Sequence, residues 1–322
     1  MSPYVASLNN TRRARALLSL FAFPFLARRH LVPVELVPVE IRRAVRAALA
    51  EDLGSGDVTT LATVPAGLES AALMRAREPL VAAGLQFAEL AFREMAAKYG
   101  QRPALKIKKF VHDGQRVAAG KPLLKISGPS RALLSAERVA LNFVQRLSGV
   151  ATATARFADA IKGTRAKILD TRKTTPGWRR FEKYAVACGG GKNHRLGLFD
   201  MVLIKDNHLV ALRHAKPNAI AAAVARARKK FPRLKIEVEA DTLEQATQAA
   251  DAGADIILLD NTPPARLRRA IKLIRGRALT EASGGVNLKT IRAIAASGVD
   301  FISVGAITHS ARAVDIGLDF ET

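Results

Sequence analysis

The sequence predicts an α/β fold in two parts: a compact α+β domain, then a (β/α) barrel that is complete or short of eight units. Three observations carry this. Short apolar strands recur at 166–170, 201–205, 235–239, 255–259, 278–282 and 300–304. Helical segments separate several of them, among them Thr242 to Ala252, Pro264 to Ile274 and Leu288 to Ser297. Such alternation implies right-handed crossovers and a parallel sheet. Polar residues follow nearly every strand, as at the ligand-facing mouth of a barrel. A doubly wound open sheet is the alternative, weakened by the lack of G-x-G-x-x-G after the first strand.

The part before the barrel lacks this alternation. From Val34 the register becomes helical, Val39 to Leu49, and a Gly-rich turn at 51–60 ends it. A strand near Ser70 to Arg75 and a helix from Leu85 to Tyr99 follow, then strands Leu105 to Val111 and Pro122 to Ile126 with Asp113-Gly114 between them. A long helix is expected from Ser135 to about Ile161, because Ala140, Phe143, Val144, Leu147 and Ala151 recur at i, i+3, i+4 spacing. Ser135 reads as its N-cap. Arg138 then falls in the first turn, where the helix dipole disfavours a cation, so it calls for another reason to be there. Residues 1–33 stand apart. They hold Arg12, Arg13, Arg15, Arg28 and Arg29, no acid, and an apolar run from Leu17 to Ala27 broken by Pro24. They read as a disordered leader outside the fold.

Composition narrows the class. With 322 residues, 49% of them apolar, the chain can bury an ample core, and its single cysteine, Cys188, excludes an internal disulfide. A reducing, cytoplasmic setting is expected. No apolar run reaches bilayer-spanning length, so no membrane partner is expected. A net charge of +23 attracts anions. With aromatics at 5% and no basic–aromatic repeat, the cations read as exposed helix faces, and no nucleic-acid partner is expected.

Chemistry concentrates at the strand ends. The first offers Asp170, Thr171, Arg172 and Lys173, and the loop after it brings Gly189-Gly190-Gly191, Lys192, Asn193, His194 and Arg195. The second strand ends in Lys205-Asp206-Asn207, the third in Glu237-Val238-Glu239, the fourth in Asp260-Asn261. Burying charge is costly unless it is paired, so these residues belong at an open mouth, and their sign calls for a small, strongly anionic ligand. Glu239 and Asp260 end neighbouring strands and can meet at one Mg²⁺ site completed by phosphate oxygens; pairing with nearby Lys or Arg explains them equally well. Ser283-Gly284-Gly285 and Val304-Gly305-Ala306 close the last two strands, where backbone N–H groups often cradle phosphate. The three glycines at 189–191 read as a hinge, Trp178 as packing for its loop, and Cys188 as a small buried residue.

These residues resemble the quinolinate phosphoribosyltransferase family. The resemblance runs in order from about Val34 to Phe320: EDLGSGDVTT at 51–60, SAERVALNFVQRLSGVAT at 135–152, ILDTRKTTPG at 168–177, KYAVACGGGKNHRLGLFDMVLIKDNH at 183–208, IEVE at 236–239, LLDN at 258–261, EASGGV at 281–286 and ISVGAITHS at 302–310. It implies a type II phosphoribosyltransferase fold, with an N-terminal α/β sandwich at 34–142 and an incomplete TIM-like barrel at 143–307. Residues 308–322 are then expected to pack back onto the sandwich. It implies transfer of phosphoribosyl from phosphoribosyl pyrophosphate to quinolinate with loss of CO₂, and Mg²⁺ as cofactor. It further implies a homodimer with a shared active site, with a hexamer as the larger alternative.

By motif, Arg138 would reach into the partner's site. Arg172, His194, Arg195 and Lys205 would hold the two carboxylates. Thr171 and Lys173 lie on the same substrate-binding turn; Lys173, Glu239 and Asp260 would serve the sugar diphosphate and its Mg²⁺. Ser283, Gly284, Gly285, Val304, Gly305 and Ala306 would bind phosphate. The catalytic set under this resemblance is Lys173, Lys205, Glu239 and Asp260. Trp178 departs from what is expected in its loop. Three rivals stand beside this reading: a paralogue with another carboxylated acceptor, a Schiff-base lyase using Lys205, and a basic nucleic-acid-binding protein.

Overall fold

The computed structural model describes residues 34–99 and 105–321. The leader expected at 1–33 lies outside the described residues. The chain starts with α1 (Pro38–Leu53), which buries Ile41, Val45 and Leu49 at a four-residue spacing. The Gly-rich turn then gives way to a short helix, α2 (Val58–Thr63), where a turn is expected throughout. Asp57 makes the difference: its carboxylate accepts the Thr60 N–H at 2.9 Å and caps the new helix.

Strand β1 (Glu69–Ala76), β2 (Leu80–Val81), α3 (Leu85–Tyr99), β3 (Lys106–Lys109), β4 (Arg116–Val117) and β5 (Pro122–Pro129) complete the first half. β1, β3 and β5 form an antiparallel sheet in the order β12-β1-β5-β3, so the last strand of the chain, β12 (Ile316–Glu321), returns to pair with the first. Its register matches Ala72 to Phe320 and Met74 to Leu318. Met74 of β1 and Phe87, Phe92 and Met95 of α3 are fully buried.

Helix α4 (Ser130–Ala160) is 31 residues long and joins the two halves. It begins five residues before the position expected from Ser135, because Ala132, Leu133 and Ala136 carry the buried stripe further upstream. Ser135 is therefore no N-cap. It is buried, donates to Asp57 Oδ2 at 2.8 Å and contacts the Tyr99 hydroxyl at 3.0 Å. Arg138 consequently stands in the third turn, exposed, and the dipole of the first turn does not bear on it.

The second half is a parallel sheet of six strands: β6 (Lys167–Leu169), β7 (Val202–Ile204), β8 (Ile236–Ala240), β9 (Ile256–Asp260), β10 (Leu279–Ser283) and β11 (Phe301–Ser303). Between them run α5 (Arg179–Cys188), α6 (Asp206–Ala211), α7 (Ala219–Lys230), α8 (Leu243–Asp251), α9 (Pro264–Ile274) and α10 (Ile291–Ala295), and α11 (Ala306–His309) follows β11. The order is β6-β11-β10-β9-β8-β7. Each strand from β7 onward neighbours the next, and the last pairs with the first. That is a barrel order with one open seam, between β6 and β7, and it excludes the doubly wound sheet.

Lys192 partly fills the seam. It bridges Leu169 in parallel sense, its N–H reaching Ile168 O at 2.8 Å and its carbonyl accepting the Asp170 N–H at 3.2 Å. The glycines before it are not a free hinge. A Cβ on Gly189 would overlap the Ala151 carbonyl oxygen of α4 and stand 2.7 Å from Thr154 Cβ. The loop is pressed against the long helix, and that contact aims it at the seam. Trp178 packs as expected, stacked on Phe143 with ring centroids 5.0 Å apart and edge-on to Phe181. Gly189→Ala should lower stability by about 1–3 kcal/mol, as overpacked interiors do. Urea unfolding checks this, and a neutral result would mean that the loop stands off α4.

Candidate active site

The barrel mouth gathers cations on its β6–β7 side. Arg172 follows β6 and is half-buried; its Nε is buried without a hydrogen-bond partner. Arg195 is also half-buried and donates to Met201 O at 3.3 Å. Burial pulls the Arg195 guanidinium below its ordinary range, and the Arg172 charge beside it acts in the same direction. Two guanidiniums thus share one mouth, and among the described residues neither is drawn into an ion pair. Lys173 is exposed, its chain held by Thr308 Oγ1 donating to the Lys173 carbonyl at 2.7 Å, while Thr171 Oγ1 accepts the Lys173 N–H at 3.0 Å. Lys205, at the end of β7, reaches Glu239 Oε2 at 2.9 Å. Its side chain is about half exposed, so it lacks the desolvation that a Schiff-base lysine requires.

The opposite side is acidic and glycine-rich. Glu239 ends β8 and Asp260 ends β9, two strands hydrogen-bonded to each other. Asp260 accepts the Asn261 amide at 2.6 Å, leaving further oxygen lone pairs toward solvent. Two carboxylates on adjacent strand ends suit a hard divalent cation arriving with phosphate oxygens. After β10 the backbone enters the left-handed region at Gly284 (φ 85°) and Gly285 (φ 60°). A Cβ at Gly284 would overlap Asn261 Oδ1 and lie 2.8 Å from Asn261 N, so this turn accepts only glycine. Val304 continues the ladder onto Leu169 O at 2.9 Å, and Gly305 and Ala306 open α11, which is only four residues long.

Beneath the cations lies a buried polar bracket. The Lys183 side chain, fully buried, crosses from α5 to pair with Asp170 Oδ1 and donates to the His194 carbonyl at 2.9 Å. Asp170 also accepts the Asn193 amide at 2.6 Å and the His194 N–H at 2.8 Å. The preceding residue, Glu182, is buried too. It accepts the Thr175 N–H at 3.1 Å and Arg146 at 2.6 Å, fixing the loop that carries Arg172. Asp170 therefore faces inward, away from any ligand.

His194 turns both ring nitrogens to protein atoms. Nδ1 accepts the Arg195 N–H at 2.8 Å, so in the neutral ring Nε2 carries the proton; it stands 3.0 Å from Glu237 Oε2 and 3.7 Å from Glu281 Oε2. These three side chains form a compact group on β8, β10 and the glycine loop, with ligand atoms within 4.8 Å of one another. The proton on Nε2 opposes metal binding there. Among the described residues no carboxylate oxygen of Glu237 or Glu281 has an aligned donor. A proton shared between the two acids meets that need. Burial, reinforced by the neighbouring Glu237, lifts Glu281 to about 8, and burial lifts Glu237 to about 7.

The structure brings Arg172, Arg195, Lys205 and Glu239 around one mouth and sets Asp260, Ser283 and Gly305 on its other strands. It does not bring Arg138 there: among the described residues Arg138 forms no hydrogen bond or ion pair, and it is exposed on α4. Sequence reasoning missed Glu182, Lys183 and Glu281. Glu281 had a signal: it shares the face of Ser283 at a spacing of two within an apolar strand. Cys188 is half-buried, with its thiol pushed up to about 12 by burial and by Asp113 nearby; it is no nucleophile at neutral pH.

Fold and mouth together define a barrel enzyme built for a compact, multiply anionic substrate. The chain matches the quinolinate phosphoribosyl transferase N-terminal domain over residues 57–148 and its C-terminal domain over residues 150–319. It is 46% identical over 282 residues to the nicotinate-nucleotide pyrophosphorylase (carboxylating) of Mycobacterium leprae, covering 86% of this chain and 96% of that one. It is 42% identical over 299 residues to the chloroplastic enzyme of that name from Arabidopsis thaliana, covering 88% and 83%. Among solved structures, the nicotinate-nucleotide pyrophosphorylase of Francisella tularensis superposes with a TM-score of 0.83 at 38% identity, covering 91% and 100%. The chain belongs to the quinolinate phosphoribosyltransferase family.

The buried acids make stability depend on pH. An unfolded glutamate loses its proton near about pH 4.3. In the folded chain burial holds Glu237 up at about 7 and Glu281 at about 8. Across that window the folded state binds more protons than the unfolded chain, so stability falls as pH rises, by up to about 1.4 kcal/mol per pH unit for each extra proton held. Glu281→Gln removes the proton linkage of the pair's more basic member. Urea midpoints between pH 5 and pH 8 should therefore fall less steeply in the variant; parallel slopes would rule out Glu281 as the source.

Proposed function

We infer that this chain transfers the phosphoribosyl group of phosphoribosyl pyrophosphate to quinolinate, releasing pyrophosphate and CO₂ and forming nicotinate mononucleotide for NAD biosynthesis. Membership of the family and the names of relatives such as the quinolinate phosphoribosyltransferases (decarboxylating) of Nicotiana tabacum support it. The single observation that carries it is the pair Arg172 and Arg195, two guanidiniums in one half-buried mouth without an ion-pair partner among the described residues. A dicarboxylate neutralises both, and a guanidinium grips each carboxylate through two N–H groups.

The reaction needs no covalent nucleophile. As the C1′–O bond to diphosphate breaks, positive charge builds on the ribose, and the pyridine nitrogen attacks C1′. The quaternised nitrogen becomes an electron sink: the C2–carboxylate bond breaks, CO₂ leaves, and C2 takes up a proton. The site's role is to position anions and balance their charge. Arg172, Arg195 and Lys205 orient quinolinate. Lys173 and the turns at Ser283–Gly285 and Val304–Ala306 receive phosphate oxygens. Glu239 and Asp260 would hold a Mg²⁺ that offsets charge on the departing diphosphate. His194, with both nitrogens turned to protein atoms, supports the acceptor side from below.

The assembly belongs to the same reading: a homodimer in which Arg138, exposed on its helix, completes the partner's site. No helix among the described residues is long and apolar enough to cross a membrane. We assign the protein to the cytoplasm, which its one partly buried cysteine suits, although the Arabidopsis relative is named chloroplastic.

Purified protein with quinolinate, phosphoribosyl pyrophosphate and Mg²⁺ should form nicotinate mononucleotide and CO₂ in equal amounts, and should form neither with nicotinate as acceptor. Failure by a folded protein would overturn the reading. Arg172→Ala and Arg195→Ala should each lower kcat/KM for quinolinate by roughly 10–100-fold, the worth of about 1.5–3 kcal/mol in a charged hydrogen bond. An anion-binding protein without this chemistry would lose no turnover.

A further inference from the structure

Among the described residues Lys183 is the buried cation of the barrel, and the chemistry above leaves it without a task. It lies on α5, one turn before the helix ends, with no exposed side-chain surface. Its ammonium meets two acceptors on different segments: the Asp170 carboxylate at the end of β6 and the His194 carbonyl in the loop that leads to Arg195. The Lys183 backbone carbonyl accepts the Asn193 amide at 2.8 Å, and that amide also donates to Asp170. One side chain and one backbone group of Lys183 therefore hold two consecutive residues of the loop against β6. This is where the barrel's seam lacks a strand, and among the described residues only Lys192 supplies ladder bonds there.

A buried ion pair is a poor source of stability, because desolvating both charges offsets their attraction, and an apolar pair of similar volume often serves as well. What an ion pair with convergent donors does supply is one defined geometry. Here that geometry has a consequence at the ligand. The Arg195 N–H is fixed on His194 Nδ1, and the Arg195 guanidinium is kept beside Arg172, whose charge repels it. Without a rigid anchor the two cations would move apart, and the mouth would no longer match two carboxylates on one ring.

We propose that Lys183 is a positioning residue for acceptor recognition: with Asp170 it locks the His194–Arg195 segment so that Arg195 and Arg172 grip one dicarboxylate, which Lys183 never touches. The proposal rests on the reading of quinolinate as acceptor. The diphosphate side, on β8 to β11 and at Lys173, whose loop is held by Glu182 and Thr308 and not by Lys183, does not depend on this lock.

Two variants test it. Lys183→Met keeps length without charge but leaves Asp170 unpaired, which risks folding. The double variant Asp170→Asn with Lys183→Met removes both charges. Circular dichroism and thermal melting establish folding. Steady-state kinetics and equilibrium dialysis with labelled quinolinate then read the effect. The expected result, in whichever variants fold, is a rise of about tenfold or more in KM and Kd for quinolinate, since small misplacements at such sites cost that much. The KM for phosphoribosyl pyrophosphate should stay within about twofold. A folded double variant with normal quinolinate binding overturns the proposal. Equal rises in both KM values, or a double variant that cannot fold, overturn it too, by showing a role in the barrel at large. If the unmodified protein binds and turns over no quinolinate, it is the functional reading that fails, and that control is read first.

Discussion

The site depends above all on one buried contact, the ion pair between Asp170 and Lys183. Burial pushes the Asp170 carboxyl up and the Lys183 ammonium down, and each is opposed by the other's charge. In both cases burial is the larger influence, so the contact is not there to hold the barrel together cheaply. Its yield is positional. Asp170 accepts three donors from three places: the α5 ammonium, the Asn193 amide and the His194 backbone. A carboxylate so enclosed has one resting orientation, and the segment after the glycines inherits it. Glu182 does the same for the loop carrying Arg172 and Lys173. Two adjacent residues of one helix thus set both cationic loops of the mouth.

The need for such pins follows from the architecture. A barrel closed by eight strands fixes its loops through a continuous ladder. Six strands leave a seam, and the segment that approaches it contributes only Lys192 to the ladder. Side-chain hydrogen bonds replace the missing strand, and the long helix α4 backs them through its close contact with Gly189. The same helix carries the N-terminal sheet, onto which β12 folds back. Gln145 and Arg146 of α4 bond the carbonyls of Ile316, Ala311 and Thr308, so the segment leaving the last barrel strand is tied to the helix that faces the seam.

Much of this is legible in the sequence, and what is not has identifiable causes. All six barrel strands show themselves because a strand buried on both faces must be a short apolar run. Pro264 to Ile274 is read with the bounds it has, and a proline at its start suits a helix N-terminus. The start of α4 is misplaced because Ser135 has the chemistry of a cap while lying on the buried stripe, where its hydroxyl serves Asp57. At the mouth, Arg172, Arg195, Lys205 and Glu239 announce themselves as charge at strand ends. Lys183 does not: on an amphipathic helix a lysine reads as solvated, and only the tertiary fold shows that it points inward. His194 is visible as a site residue, but the direction of its ring is not. That direction separates a group facing the ligand from one that underpins it.

The acids beneath the mouth follow from the cations above it. A cluster that includes Arg172, Arg195 and Lys205 would repel itself apart if the barrel interior were merely apolar. Glu237 and Glu281 place negative potential under it without competing for the ligand, since both are enclosed by the strands. Two full charges there would neutralise the mouth and defeat anion binding. A pair sharing one proton supplies about one charge, enough to hold His194 and temper the repulsion, and leaves the net cationic field that a dicarboxylate requires. The barrel interior gives up some stability as pH rises from about 4 towards 8 to keep that balance, and the compensation is a mouth whose charge is set by its interior.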